Sequence, residues 1–241
     1  MILLQILKIF IILALVIAPF GFLLPRSPKS SRLIQETFKS ERYRYTLFLP
    51  DGYSDEQAVP FVLVLHYGGH GAPYYGKAIL VDLVEPALRE LGAIFVSPDC
   101  PAEDWTQPES VQFVLALLDH VQKEYNIDEE RILVTGYSLG GIGTWYLASH
   151  YPERFTAAIV MAGLPTSEEF GTHWQVPIYV IQGCEDELFP LEFTTKFVTN
   201  LEEKGVDITY RILEGVTHYE SNRYIGPLKD TVPWIFKAWE K

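Results

Sequence analysis

Two short runs, Phe61-Val-Leu-Val-Leu65 and Pro177-Ile-Tyr-Val-Ile181, are apolar without interruption and too short to be independent helices. A half-solvated strand alternates apolar and polar residues, so runs like these belong to strands buried on both faces. That burial arises when helices cover both sides of a mostly parallel sheet. The remainder of the chain after residue 40 has the matching rhythm. Strands are predicted at Tyr43–Leu49, Phe61–His66, Ala93–Ser97, Ile132–Thr135, Ala157–Met161, Ile178–Gln182 and Ile208–Leu213. Helices are predicted near Lys77–Leu91, Pro108–Tyr125, Gly140–His150, Leu191–Lys204 and Pro227–Trp239. The expected fold class is α/β, with a mostly parallel central sheet and helices on both faces.

Of the 241 residues, about two hundred follow the first thirty, enough for one domain with a large core. The division expected is 1–30, a hydrophobic segment and short linker, and 31–241, one catalytic domain. Residues 33–241 hold 15 bases against 31 acids, a net of −16. Such a body repels phosphate backbones and offers no basic patch, which excludes nucleic acid as a partner.

Ile9 to Leu24 carries no charge, and Lys8 alone interrupts the apolar stretch that begins at Met1. From Met1 the stretch approaches the roughly 20 residues of a spanning helix; from Ile9 it is closer to the core of a signal peptide. No good Ala-x-Ala cleavage site or lipoprotein cysteine follows. The expectation is therefore an uncleaved membrane anchor, with a removed signal as the alternative. Arg26, Lys29 and Arg32 on the far side favour a cytoplasmic domain by the positive-inside tendency, so a secreted location and the side of the membrane stay open.

The chemistry is concentrated around Arg131-Ile-Leu-Val-Thr-Gly136-Tyr137-Ser138-Leu139-Gly140-Gly141-Ile-Gly143. A strand, a sharp turn and a helix follow one another there. The bare G-x-S-x-G spacing occurs by chance in about one chain in ten of this length, but the strand and helix around it are the context that gives it meaning. The glycines on either side allow the strained turn and close approach that lift Ser138 above the sheet edge, at a helix N-terminus. A serine needs a base, and the base needs an acid to hold its tautomer. His218, in Gly215-Val-Thr-His218-Tyr219, is the one histidine that follows both the serine and a credible acid.

The acid is expected in Gly183-Cys184-Glu185-Asp186-Glu187-Leu188. Asp186 is preferred for its short reach, leaving Glu185 and Glu187 as solvated charges or as rivals. Backbone N–H donors for an oxyanion are expected from Leu139 and from Tyr67 or Gly68, in His66-Tyr67-Gly68-Gly69-His70. Trp105 and Tyr137 are candidates for the substrate pocket; for Trp105 a packing role is the equal alternative. Catalysis of this kind calls for no metal and no cofactor.

Several segments together resemble a known group of enzymes: Ser97-Pro-Asp-Cys-Pro101, Tyr125-Asn-Ile-Asp128, the Ser138 segment through Gly-Thr-Trp145, and Tyr151-Pro-Glu-Arg-Phe155 with the Thr-Ala-Ala-Ile that follows. They are similar to α/β-hydrolases of the phospholipase/carboxylesterase and polyhydroxybutyrate-depolymerase-like kind, which include predicted peptidases related to dienelactone hydrolase. The likeness runs from about Tyr43 to the C-terminus. It implies an α/β-hydrolase fold and a serine hydrolase, most simply a carboxylic ester hydrolase, in which Ser138, Asp186 and His218 fall on the nucleophile, acid and base. A serine peptidase on the same triad and a noncatalytic binding protein are the rival functions. Tyr67 stands where the family usually has glycine, which leaves the second oxyanion donor open.

The partner implied is a small-molecule or polymeric ester; the oligomeric state is not implied. Because only Gly163–Pro177 joins two strands where many such proteins insert a lid, no large lid is expected and the cleft should be open to bulky substrates. Finally, Cys100 and Cys184 follow strands four steps apart in the expected order, about 19 Å at 4.8 Å per step, too far for a disulfide. Two free thiols are expected.

Overall fold

A computed structural model describes residues 32–69, 72–165 and 174–240. The expectations for the anchor or signal within residues 1–30, and for the absent lid at its centre, residues 166–173, lie outside the described residues.

Eight strands form one sheet in the order β1-β2-β4-β3-β5-β6-β7-β8. They are β1 Arg32–Phe38, β2 Ser40–Leu49, β3 Val59–Leu65, β4 Ile94–Pro98, β5 Ile127–Tyr137, β6 Ala157–Met161, β7 Ile178–Gly183 and β8 Ile208–Leu213. Pairs β1–β2 and β2–β4 are antiparallel, and all later pairs are parallel. The period of two along β3 divides its side chains between two cores. Phe61, Leu63 and Leu65 face the helices Pro108–Glu124 and Leu139–His150, whereas Val62 and Val64 face the helical run that begins at Lys77. Both faces are dry, which is why the β3 sequence shows no polar alternation.

Three elements depart from the sequence expectation. Strand β1 was not expected. It lies at the sheet edge with most of its residues exposed, so no buried apolar pattern marks it, and only Ile34 and Phe38 reach the core. The helix expected over Lys77–Leu91 is instead a short α turn, a π-helical segment Leu80–Val84, another α turn Glu85–Leu88 and a 3-10 turn. Pro86 has no N–H to offer the carbonyl of Asp82, and the turn before it widens until the Glu85 N–H reaches the Leu80 carbonyl. The same rule divides the helix expected over Pro227–Trp239 into Ile225–Lys229 and Val232–Trp239, because Pro233 cannot donate to Lys229.

Both cysteines are free, and their strands β4 and β7 lie four steps apart in the sheet. Among the described residues no helix is long and apolar enough to cross a membrane.

Candidate active site

Strand β5 lies in the middle of the sheet and ends at Tyr137, so the next residue emerges at the carboxyl edge. Ser138 occupies that position with φ 56° and ψ −117°, a conformation that costs a non-glycine residue about 1–3 kcal/mol. The strain is held from both sides. The Ser138 N–H donates to the Met161 carbonyl at 3.0 Å, and its carbonyl accepts the Ile142 N–H at 3.0 Å. The turn is also closed by contact: a Cβ on Gly140 would lie 2.0 Å from the Leu65 carbonyl oxygen, and one on Gly136 would lie 2.3 Å from that of Gly140. Only glycine lets the helix start this close to β3 and β5.

The other two members of the proposed triad arrive on the loops after β7 and β8. Ser138 Oγ is 2.9 Å from His218 Nε2, and His218 Nδ1 is 2.9 Å from Asp186 Oδ2. The Asp186 side chain is fully buried and that of His218 nearly so. The second carboxylate oxygen of Asp186 accepts the backbone N–H groups of Leu188 at 3.0 Å and Phe189 at 2.8 Å. Asp186 therefore has one oxygen committed to its own loop and one committed to the imidazole. That imidazole must carry its proton on Nδ1, leaving Nε2 as the acceptor for the serine proton. Transfer of this proton would produce a serine alkoxide at a helix N-terminus, where the dipole stabilises negative charge.

The main chain of His218 is held as well. Its carbonyl accepts the Tyr137 hydroxyl at 2.5 Å, and its N–H donates to Glu187 Oε2 at 2.9 Å. Burial pushes the Tyr137 hydroxyl well above its ordinary pKa and keeps it a donor. Glu187, expected as a solvated charge or a rival acid, is exposed and in addition reaches the main chain of the residue that is placed as base. Glu185 does remain an exposed loop residue.

On the other side of Ser138, a Cβ on Gly68 would lie 3.9 Å from Leu139 Cβ, so the two segments expected to donate to an oxyanion face each other. Because the Ser138 N–H is already engaged, the Leu139 N–H, with no intrahelical acceptor, is the first one free to serve. A cavity of about 420 Å³ opens here, with Tyr67, Gly68, Tyr137 and Leu188 around Ser138 and His218. Tyr219 at its rim is 73% exposed and Leu188 is 52% exposed, so the mouth faces solvent.

Trp105, weighed as a pocket wall or a packing residue, is the latter. It is fully buried, and its indole N–H donates to the His66 carbonyl at 2.9 Å. A Cβ on Gly143 would lie 2.4 Å from Trp105 Cβ, so that glycine admits the Trp105 segment against the helix that Ser138 caps. The ring of His66 extends the support. Its Nδ1 lies 2.7 Å from the Tyr67 carbonyl, and Nε2 accepts the Cys100 N–H at 2.9 Å. Burial lowers its pKa, in keeping with a neutral ring that donates from Nδ1. Ser97 and Asp99 complete this scaffold: the Ser97 hydroxyl donates to Val64, and Asp99 accepts the N–H groups of Tyr74 and Gly76. The Ser97-Pro-Asp-Cys motif thus supports the segment that carries Tyr67 and Gly68. Its conjunction of Ser, Asp and Cys was visible in the sequence, but its target, some 30 residues upstream, was not.

The profile of the dienelactone hydrolase family matches residues 102–224, just over half of the chain. The chain belongs to the dienelactone hydrolase family. Feruloyl esterase C of Emericella nidulans is 29% identical over 175 residues, covering 68% of this chain and 64% of that protein. A putative carboxymethylenebutenolidase of Aquifex aeolicus is 28% identical over 171 residues, covering 70% of this chain and 65% of its own length. The chain thus spans just under two thirds of either relative. Among solved structures, a thermostable esterase superposes with a TM-score of 0.71 at 26% identity, covering 85% of this chain and 62% of that one. A ferulic acid esterase, at 18% identity and a TM-score of 0.71 over 87% of this chain and 99% of that one, shares the fold.

Proposed function

We propose that this member of the family is a serine carboxylic ester hydrolase working through an acyl-enzyme. The observation that carries the reading is the unbroken relay from Ser138 Oγ to His218 Nε2 and from His218 Nδ1 to Asp186, each link 2.9 Å. In this reading His218 takes the serine proton as Oγ attacks the ester carbonyl, and returns it to the leaving alcohol. Water, activated by the same imidazole, then releases the acid. Leu139 and the Tyr67–Gly68 segment supply N–H donors to the oxyanion, and Asp186 holds the ring in one tautomer.

The substrate class we infer is an ester with a bulky, aromatic acyl group. Two features favour it: the open cavity walled by Tyr67, Tyr137 and Tyr219, and relatives that bear the name feruloyl esterase. The test is a panel of p-nitrophenyl acetate, p-nitrophenyl cinnamate and aminoacyl p-nitroanilides with the wild-type protein and Ser138→Ala. The cinnamate should have the highest kcat/KM and the serine variant none. Faster cleavage of the anilides would replace the esterase with a peptidase on the same triad.

We further infer a membrane tether through residues 1–30, from the uncharged run Ile9–Leu24. The full chain should stay with membranes through a carbonate wash, and a chain starting after residue 30 should be soluble and active. Release by the wash, or a mature N-terminus near residue 25, would make the segment a cleaved signal.

A further inference from the structure

We propose that Glu187 is a second carboxylate serving His218, a positioning residue that holds the main chain of the base while Asp186 holds its ring; the inference rests on the esterase reading above. Asp186 by itself selects the tautomer and one edge of the imidazole. It does not decide where the loop that carries His218 lies relative to Ser138.

That loop is tied down ahead of the histidine, where the Val216 carbonyl accepts the Glu185 N–H at 3.0 Å, the Gly215 N–H donates to Cys184 Sγ at 3.1 Å and Arg223 donates to the Gly215 carbonyl, but none of these bonds reaches His218 itself. Within itself it is closed by Glu220, whose carboxylate accepts both the N–H (2.9 Å) and the hydroxyl (3.1 Å) of Thr217. Toward the rest of the molecule, the His218 main chain makes two described hydrogen bonds, the carbonyl to Tyr137 and the N–H to Glu187 Oε2 at 2.9 Å. The Tyr137 tie comes from β5, one residue before Ser138, and so references the base to the serine. The Glu187 tie comes from the residue next to Asp186, and so references the base to its acid.

Two consecutive side chains of one loop therefore grip the same residue at two places, the ring and the main chain. A shift of His218 along the loop would lengthen both 2.9 Å links of the relay, and reaction rates fall steeply with such misplacement. A charge-assisted bond between a carboxylate and a backbone N–H is the stronger kind, and Glu187 makes it from an exposed side chain. Gln at this site would still present an acceptor oxygen. Ala would present none.

The experiment compares Glu187→Ala, Glu187→Gln and the loop control Glu185→Ala in the full-length protein. Two readouts are taken: steady-state hydrolysis of p-nitrophenyl acetate, and exchange of the His218 amide hydrogen. Glu187→Ala should lose about tenfold in kcat with KM nearly unchanged, and its His218 amide should exchange about tenfold faster, as expected for one lost bond to a charged group discounted for exposure. Glu187→Gln should recover most of both, and Glu185→Ala should match the wild type.

Unchanged kcat and exchange in Glu187→Ala would overturn the assignment. So would equal losses in the Gln and Ala variants, which would make the effect one of charge rather than position, or a change confined to KM, which would make Glu187 a substrate contact. A wild-type protein inert toward the ester would instead defeat the esterase reading, and the exchange comparison would still decide whether Glu187 holds the loop.

Discussion

Replacing Asp186 with asparagine changes one oxygen to an NH2 group, and the surroundings decide which way the amide turns. Asp186 Oδ1 receives two backbone N–H groups, from Leu188 and Phe189, while Oδ2 receives one ring N–H from His218. An asparagine that kept its oxygen toward the backbone donors would retain two bonds and present its NH2 to the imidazole. The opposite rotamer would set NH2 against two N–H groups, losing two bonds to save one. The first arrangement wins, and it forces His218 Nδ1 to accept. The ring proton then moves to Nε2, where it faces Ser138 Oγ and cannot receive the serine proton.

The expected loss is about four orders of magnitude in kcat, equivalent to about 5.4 kcal/mol of transition-state stabilisation. The fold should survive, because the loop bonds are conserved and the amide is nearly isosteric. Steady-state hydrolysis of p-nitrophenyl acetate, together with thermal unfolding followed by circular dichroism, reads both quantities. A variant within tenfold of the wild-type kcat would refute the tautomer argument. The same loss in Glu185→Gln with Asp186→Asn active would show that the acid is another residue.

Two further consequences follow from the packing around Ser138. Gly140→Ala should lower stability by about 3 kcal/mol and Tm by about 10 °C, because the new methyl would meet the Leu65 carbonyl oxygen 2.0 Å away, a backbone atom that cannot swing aside; a thermal scan matching the wild type would contradict it. His66 concerns pH: burial lowers its folded-state pKa, so the unfolded chain binds its proton first as pH falls. The neutral-ring stability is fully present above about pH 6.5 and declines from there toward the lower folded-state value. His66→Gln should flatten that part of a urea-denaturation pH series, and an unchanged slope would assign the acid sensitivity elsewhere.

What could be read from the sequence follows from the range over which each signal acts. The central parallel strands were legible because burial on both faces leaves an unbroken apolar run, as in β3 and β7. Edge strand β1 was not, since most of its residues face water and its identity depends on pairing with β2. Pro86 and Pro233 were plain in the sequence, yet their effect depends on which carbonyl they fail to serve, and a helical stretch read as continuous ignores that. Ser138, Asp186 and His218 were placed by chain order and local turn signals, and the structure brings their side chains together. Glu187, His66 and Trp105 act through contacts 31, 34 and 39 residues away in the chain, and nothing local to them points to those partners. Trp105 shows the limit well: a loop tryptophan beside the site is equally compatible with lining the pocket and with supporting it.

The central claim is that Ser138 becomes a covalent nucleophile only through His218. The measurement that tests it is intact and peptide mass spectrometry after exposure to a fluorophosphonate, with wild type, Ser138→Ala and His218→Ala side by side. The account predicts one adduct per wild-type chain, on Ser138, and no adduct in either variant on the same timescale. An adduct on any other residue, or full labelling of the histidine variant, would contradict it.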